Sequence, residues 1–264
     1  MGKFYTALEK SAQTDITPDL QPSATPDLQP SATPEDILTE NLVMVREPAS
    51  PVAEYFRFLR SNIIHRAKGN PPRTIMVTSA LSGDGKTFVS SNLAACIAMG
   101  ITEHVLLIDC DLRNPSLQGV FALKKNRQGL SAYLNGEKDL KDVLYKTRID
   151  KLTLLPGGDT VDNPSEVLSS EKMGTLITEV RDRYPDRFIV IDSAPLELAP
   201  EVSVLTNQVD GVLMVIRYGK TPRNSVKAAI KKIPDSKLLG TVFNGYDKPL
   251  DRYYHGYGGY GKKA

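Results

Sequence analysis

The stretch that most limits how this chain can fold is Ser79-Ala80-Leu81-Ser82-Gly83-Asp84-Gly85-Lys86-Thr87, set between the apolar run Thr74–Thr78 and an apolar-periodic helix through Leu93, Ile97 and Met99. An apolar strand, a glycine-bearing turn ending in Lys-Thr and a helix make up the phosphate-cradling P-loop. Ser82, Gly83, Asp84, Gly85, Lys86, Thr87 and Phe88 are therefore candidate nucleotide-binding residues, although Ala80 stands where the strict pattern has its first glycine. Gly83 and Gly85 let the backbone wrap with its N–H groups inward, and the helix N-terminus adds partial positive charge. Lys86 reaches the β/γ oxygens and Thr87 is suited to ligate Mg²⁺.

Two more apolar runs end in acids. Leu106-Leu107-Ile108 leads into Asp109-Cys110-Asp111-Leu112-Arg113, and Phe188-Ile189-Val190-Ile191 leads into Asp192-Ser193-Ala194-Pro195. In open α/β sheets ligands bind beyond the carboxyl ends of the strands, which directs these acids toward the P-loop. Asp192 has the Walker B position, and Thr87, Asp109 and Asp192 are the candidate metal set. Mg²⁺ keeps several waters and needs few protein carboxylates.

The other candidate strands are Leu152–Leu155, Gly211–Ile216 and Leu239–Phe243, with helix-length stretches between. Most of the strands are continuous in apolarity, as a parallel sheet covered on both faces requires. The expected fold is α/β, a P-loop NTPase with a mostly parallel sheet, helices on both faces, and disordered N- and C-terminal tails. Residues 1–46 carry the tandem repeat TPDLQPSA at 17–24 and 25–32, rich in Pro, Ser and Thr, and offer no apolar face. Residues 47–245 form the expected domain, and 246–264 a tail expected not to pack.

Charge is uneven: residues 1–50 hold three basic and eight acidic side chains, and the remainder 30 basic and 23 acidic. The near-neutral total and the lack of a recognisable module argue against a nucleic-acid partner. The only cysteines, Cys96 and Cys110, lie in apolar runs, which excludes a disulfide framework and suits a reducing compartment. No apolar stretch approaches the roughly 18–20 residues that span a bilayer, so a cytoplasmic chain with a peripheral membrane role is expected.

Two features remain. In Glu54-x-x-Arg57-x-x-Arg60 the charged residues share about a 120° arc of a helix, and Phe56, Leu59 and Ile63 share a separate arc of about 60°. Glu54 and Arg57 could pair on a solvated helix or meet a second subunit. The tail holds Tyr246, Tyr253, Tyr254, Tyr257 and Tyr260, five of the chain's eleven tyrosines.

The P-loop, Asp109-x-Asp111-x-Arg113 and Asp192-Ser193-x-Pro195, together with these two features, resemble the bacterial tyrosine kinases of capsule and exopolysaccharide synthesis over about residues 47–264. The resemblance implies ATP and Mg²⁺ as cofactors and autophosphorylation of the five tail tyrosines in trans around a homo-oligomeric ring. Glu54, Arg57 and Arg60 would form the subunit contact. It also implies activation by a transmembrane polysaccharide chain-length regulator that recruits the kinase to the inner face of the membrane, and reversal by a tyrosine phosphatase. Within it, Lys86 and Mg²⁺ stabilise the γ-phosphoryl oxygens, Asp109 orients the tyrosine hydroxyl and Asp111 supports the metal shell. Arg113 either adds positive charge or salt-bridges within the fold, and Asn244 meets the adenine by analogy with related ATPases. Leu196 departs from relatives that carry a second proline there. Leu155-Pro156-Gly157-Gly158 and Asn163-Pro164-Ser165-Glu166 look like family segments without a derivable role. A partition-type nucleotide switch and a non-enzymatic adaptor are the competing functions.

Overall fold

The computed structural model describes residues 41–65, 71–123, 127–183 and 186–246. Its centre is a seven-stranded sheet: β1 (Thr74–Ser79), β2 (His104–Asp109), β3 (Tyr145–Lys146), β4 (Leu152–Leu155), β5 (Arg187–Asp192), β6 (Gly211–Arg217) and β7 (Leu238–Asn244). The spatial order is β3-β4-β2-β5-β1-β6-β7, and every pairing is parallel except that of the edge strand β3 with β4. All six expected strands are present. The two-residue β3 was not expected, being too short to carry a periodic signal.

Successive residues of each central strand feed opposite layers. Ile75, Val77, Val105, Leu107, Val190 and Val215 pack under α1 (Val43–Arg46), α2 (Pro51–Ile64), α3 (Lys86–Ala98) and α4 (Leu117–Val120). Met76, Leu106, Ile108, Ile189, Ile191 and Met214 pack against the other layer. That layer comprises α5 (Leu130–Leu134), α6 (Pro164–Leu168), α7 (Glu171–Arg183), α8 (Pro200–Gln208) and α9 (Arg223–Ile230). Burial on both faces explains why the strands are apolar throughout.

Helix α3 differs from its expected amphipathic form. It is buried almost all round, wedged between the sheet and α1, α2 and α4, and Met99 falls at its exposed C-cap. Helix α2 begins as its sequence requires: Ser50 caps it by accepting the Ala53 N–H at 3.2 Å, Pro51 occupies the first turn and Glu54 faces the positive end of the helix dipole.

The folded region starts earlier than residue 47. Leu42 and Met44 are fully buried, the Asn92 side chain accepts the Met44 N–H at 3.1 Å, and it donates to the Asn41 carbonyl at 2.7 Å. The expected boundary fails because a four-residue helix held by a partner 48 residues away has no local signature. The TPDLQPSA repeat lies outside the described residues.

Candidate active site

The three motifs converge at the carboxyl end of the sheet. Adjacent parallel strands β2 and β5 place Asp109 and Asp192 in direct register, with β1 on the other side of β5 and its Val77 opposite Asp192. The turn after β1 is shaped by its backbone: Gly83 has φ +81° and Gly85 φ +98°. A Cβ on Gly85 would collide with the Asn244 side-chain amide. Ala80 is fully buried and stays out of the left-handed region, so the strict pattern's first glycine has no conformational task here.

Asp84 braces this turn from inside. It is buried, its carboxylate accepts the Leu81 N–H at 3.2 Å and the Thr221 hydroxyl at 2.7 Å, and its carbonyl accepts the Asn244 amide at 2.9 Å. Thr221, in the turn between β6 and α9, had no signal in the sequence. Asn244 thus reaches the P-loop backbone. The Phe88 side chain packs on α2 instead: it stands edge-on to Phe56, with ring centroids 5.8 Å apart. The reason is helical geometry, which turns residue 88 toward α2.

Beyond β5, the Ser193 N–H and hydroxyl both donate to the Val77 carbonyl, at 3.2 and 3.1 Å, and the Leu196 N–H donates to Ser79 O at 2.9 Å. That last bond explains the departure at Leu196, since a proline would lack the donor.

Lys86, the first residue of α3, is 7% exposed. Thr87 donates its hydroxyl to Asp192 Oδ2 at 2.7 Å and lies 3.0 Å from the Ser116 hydroxyl. Asp192 is wholly buried, and its Oδ1 has no hydrogen-bond partner among the described residues. A hydroxyl beside a buried, half-satisfied carboxylate fits a Mg²⁺ ion held by few protein ligands. Burial raises the Asp192 carboxyl to about 6 against the opposing pull of Thr87 and Lys86. Burial, then the neighbouring Asp192, raises Asp109 to about 8 despite two backbone donors. Neighbouring buried carboxylates disfavour each other's charge, which a bound cation would relieve.

Asp109 and Asp111 occupy different surroundings from those expected. Asp109 is 0% exposed; its Oδ2 accepts the Ser116 and Leu117 N–H groups at 2.9 and 3.0 Å, and its Oδ1 accepts that of Asp111 at 3.2 Å. It is an anchor for its own loop, with both carboxylate oxygens accepting backbone N–H groups. Asp111 is the partly exposed acid, accepting among the described residues only the Asn114 N–H, at 3.2 Å. Burial raises its carboxyl while Lys86 pulls it down.

Arg113 takes the internal option: its Nε donates to Glu201 Oε1 at 2.9 Å. Burial pushes Glu201 up, but the hydrogen bonds from Arg113, the backbone and Ser165 together with the Arg113 charge outweigh it, and the carboxyl sits below its usual range. The Leu155-Pro156-Gly157-Gly158 segment also acquires a role, because a Cβ on Gly157 would meet Pro115 at 2.8 Å. The loop after β2 rests on that glycine.

On α2, Glu54 and Arg57 pair with each other, Arg57 also donates to the Pro48 carbonyl at 2.7 Å, and Arg60 meets Glu103 at 3.3 Å. Beside this helix an apolar groove of about 610 Å³ runs between Tyr55, Phe58, Phe88, Phe243 and Tyr246. Tyr246 stands edge-on to Tyr218 at 4.8 Å, so the expected tail packs at its first residue; Tyr253, Tyr254, Tyr257 and Tyr260 lie outside the described residues.

The chain matches the AAA domain family over residues 72–236. It is 31% identical to tyrosine-protein kinase CpsD of Streptococcus agalactiae over 217 residues, 81% of this chain and 92% of that one. Tyrosine-protein kinase YwqD of Bacillus subtilis is 32% identical over 228 residues, covering 86% and 93%. The chain belongs to the bacterial tyrosine kinases of capsule and exopolysaccharide synthesis. The kinase domain of the Escherichia coli tyrosine kinase ETK superposes with a TM-score of 0.73 at 28% identity, over 86% of this chain and 89% of that domain. This bacterial tyrosine kinase is therefore a protein-tyrosine kinase on a P-loop fold. Among its described residues no helix is long and apolar enough to cross a membrane.

Proposed function

We propose that the kinase uses ATP and Mg²⁺ to phosphorylate its own tail tyrosines, Tyr246, Tyr253, Tyr254, Tyr257 and Tyr260, in trans, and so regulates polysaccharide synthesis and export. The observation that carries this reading is the strand-end arrangement in which buried Lys86 and the hydrogen-bonded Thr87–Asp192 pair stand beside the P-loop while Asp111 is partly exposed.

The residues divide the work. The N–H groups from Gly83 to Thr87 hold the phosphates, and Lys86 stabilises charge on the γ-phosphoryl oxygens. Thr87 and the free oxygen of Asp192 would hold Mg²⁺, which when bound neutralises charge building on the β- and γ-oxygens. Asp111 accepts a hydrogen bond from the tyrosine hydroxyl and aligns it with the γ-phosphorus. The phenol oxygen bonds to phosphorus as the bond to the ADP oxygen breaks. Even raised by burial, the Asp111 carboxyl is a weaker base than a phenol near pKa 10, so the proton leaves late and alignment is the larger contribution. Asp109 keeps the loop in place. Asn244 holds the P-loop and borders the place for the base.

Transfer in trans needs subunit contact. The exposed faces of Glu54 and Arg57 on α2, and the groove beside it with Phe58 60% and Phe243 61% exposed, favour a homo-oligomeric ring in which Arg60 supports the same helix. A transmembrane polysaccharide chain-length regulator would activate the ring at the cytoplasmic face of the membrane, and a tyrosine phosphatase would reset it. Each phosphate adds about −1.5 to −2 charges, so modification of several tyrosines reverses the sign of a tail whose side chains total +2.

Phosphosite mass spectrometry of the protein expressed with its activator, as wild type and as Lys86→Met, tests this. Phosphate on the tail that disappears in the variant is the expected result. An unmodified tail in both would favour a nucleotide switch or an adaptor.

A further inference from the structure

The loop after β2 is held at its far end by a residue that no motif marks. Arg113 grips Glu201 with two nitrogens, Nε to Oε1 at 2.9 Å and Nη2 to Oε2 at 3.4 Å. Glu201, in the first turn of α8, is 2% exposed, and its Oε2 also accepts the hydroxyl of Ser165, in the first turn of α6, at 2.7 Å. One buried carboxylate thereby joins the loop to two helices. A two-point guanidinium–carboxylate contact sets orientation as well as distance, and a buried charge stripped of its partners is strongly unfavourable. At the near end, Asp109 holds the Ser116 and Leu117 N–H groups, and Pro115 rests against Gly157. Asp111 lies between these anchors, and among the described residues the only donor on its carboxylate is the Asn114 N–H of the same loop. Where Asp111 points therefore depends on the anchors at both ends.

We propose that Glu201, assisted by Ser165, is a positioning residue for phosphoryl transfer: through Arg113 it sets Asp111 for the incoming tyrosine and leaves nucleotide binding untouched. This gives the Asn163-Pro164-Ser165-Glu166 segment a task and makes Arg113 a tether. It rests on the reading that Asp111 meets the acceptor hydroxyl.

The test compares the full-length wild type, Glu201→Gln, Glu201→Asp and Ser165→Ala. Amide hydrogen exchange followed by mass spectrometry reads the loop directly, whether or not the protein is active. In Glu201→Gln, exchange at Asp111, Asn114, Ser116 and Leu117 should rise about tenfold or more, as loss of a charge-assisted hydrogen bond implies. Exchange over Gly83–Thr87 and the KM for ATP should stay at wild-type values, while phosphate on residues 246–264 falls about tenfold or more. Glu201→Asp should recover part of both losses. Ser165→Ala, which keeps the ion pair and the fold, should give a smaller change in the same direction. Unchanged exchange in the loop of both Glu201→Gln and Ser165→Ala overturns the tether. Faster exchange without loss of tail phosphate overturns the positioning role and, with it, the assignment of Asp111. A wild-type tail free of phosphate counts against the autokinase reading alone, and the exchange data still decide the tether.

Discussion

The two loops that meet above the sheet are built by opposite means. The turn from Gly83 to Thr87 gets its shape from left-handed backbone at two glycines and from a helix start. The loop from Asp109 to Ser116 contains no glycine and gets its shape from side chains: a buried acid at its start that holds the Ser116 N–H at its close, an ion pair from Arg113 to Glu201, and a proline against Gly157. The chemistry explains the contrast. A loop that presents backbone N–H groups to phosphate must keep side chains out of the way, whereas one that presents a carboxylate has its side chains free to serve as moorings.

The contrast can be broken most severely at Lys86. Lys86→Met should cut autophosphorylation by about 10²–10³ or more, as loss of a transition-state donor does, with little change in melting temperature. Gly85→Ala comes next, because it forces φ +98° on a residue with a Cβ and pushes that Cβ into Asn244. About 1–3 kcal/mol of stability should be lost, together with most ATP affinity, as measured by thermal unfolding and nucleotide titration. Substituting Asn114 by alanine, in the loop moored by side chains, should do neither.

A pH series sharpens the comparison at the buried acids. Asp109 and Asp192 are both raised in the fold, to about 8 and about 6, so the folded chain keeps protons that the unfolded chain releases near its ordinary value of 3.8. The resulting stability is fully present below that ordinary value and is lost as pH climbs through 6 and then 8. Without Mg²⁺, the melting temperature should fall from about pH 4 upward, most steeply below about pH 6 where both acids keep the extra proton, and level off above about pH 8. Asp109→Asn should flatten that fall, and a slope unchanged by the substitution would contradict the burial argument. The smallest effect is expected at Thr221→Val, which removes one brace from Asp84. About 1 kcal/mol, or a severalfold rise in the KM for ATP, should follow, with Thr221→Ser restoring it.

Legibility follows the same division. Contiguous apolar runs read directly as strands, and the P-loop is readable because its shape lies within nine consecutive residues. The positions of Asp109, Asp111 and Asp192 were equally plain, but which of the first two faces solvent was not, since burial depends on the Ser116 and Leu117 amides and on the strand alongside. Glu201 lies 88 residues from Arg113, Thr221 lies 137 from Asp84, and Asn92 lies 48 from Met44. No local pattern announces such partners. The glycine pair at 157–158 offered a hint, because adjacent glycines after a strand often mark a close approach of backbone.

The most direct test of the whole arrangement is a crystal structure with Mg²⁺ and a non-hydrolysable ATP analogue. The metal should lie beside the Thr87 hydroxyl and Asp192, Lys86 should contact the terminal phosphates, and Asp111 should face the γ-phosphate from the open side. A metal held elsewhere, or an Asp111 carboxylate turned into the protein with Asp109 exposed, would contradict it.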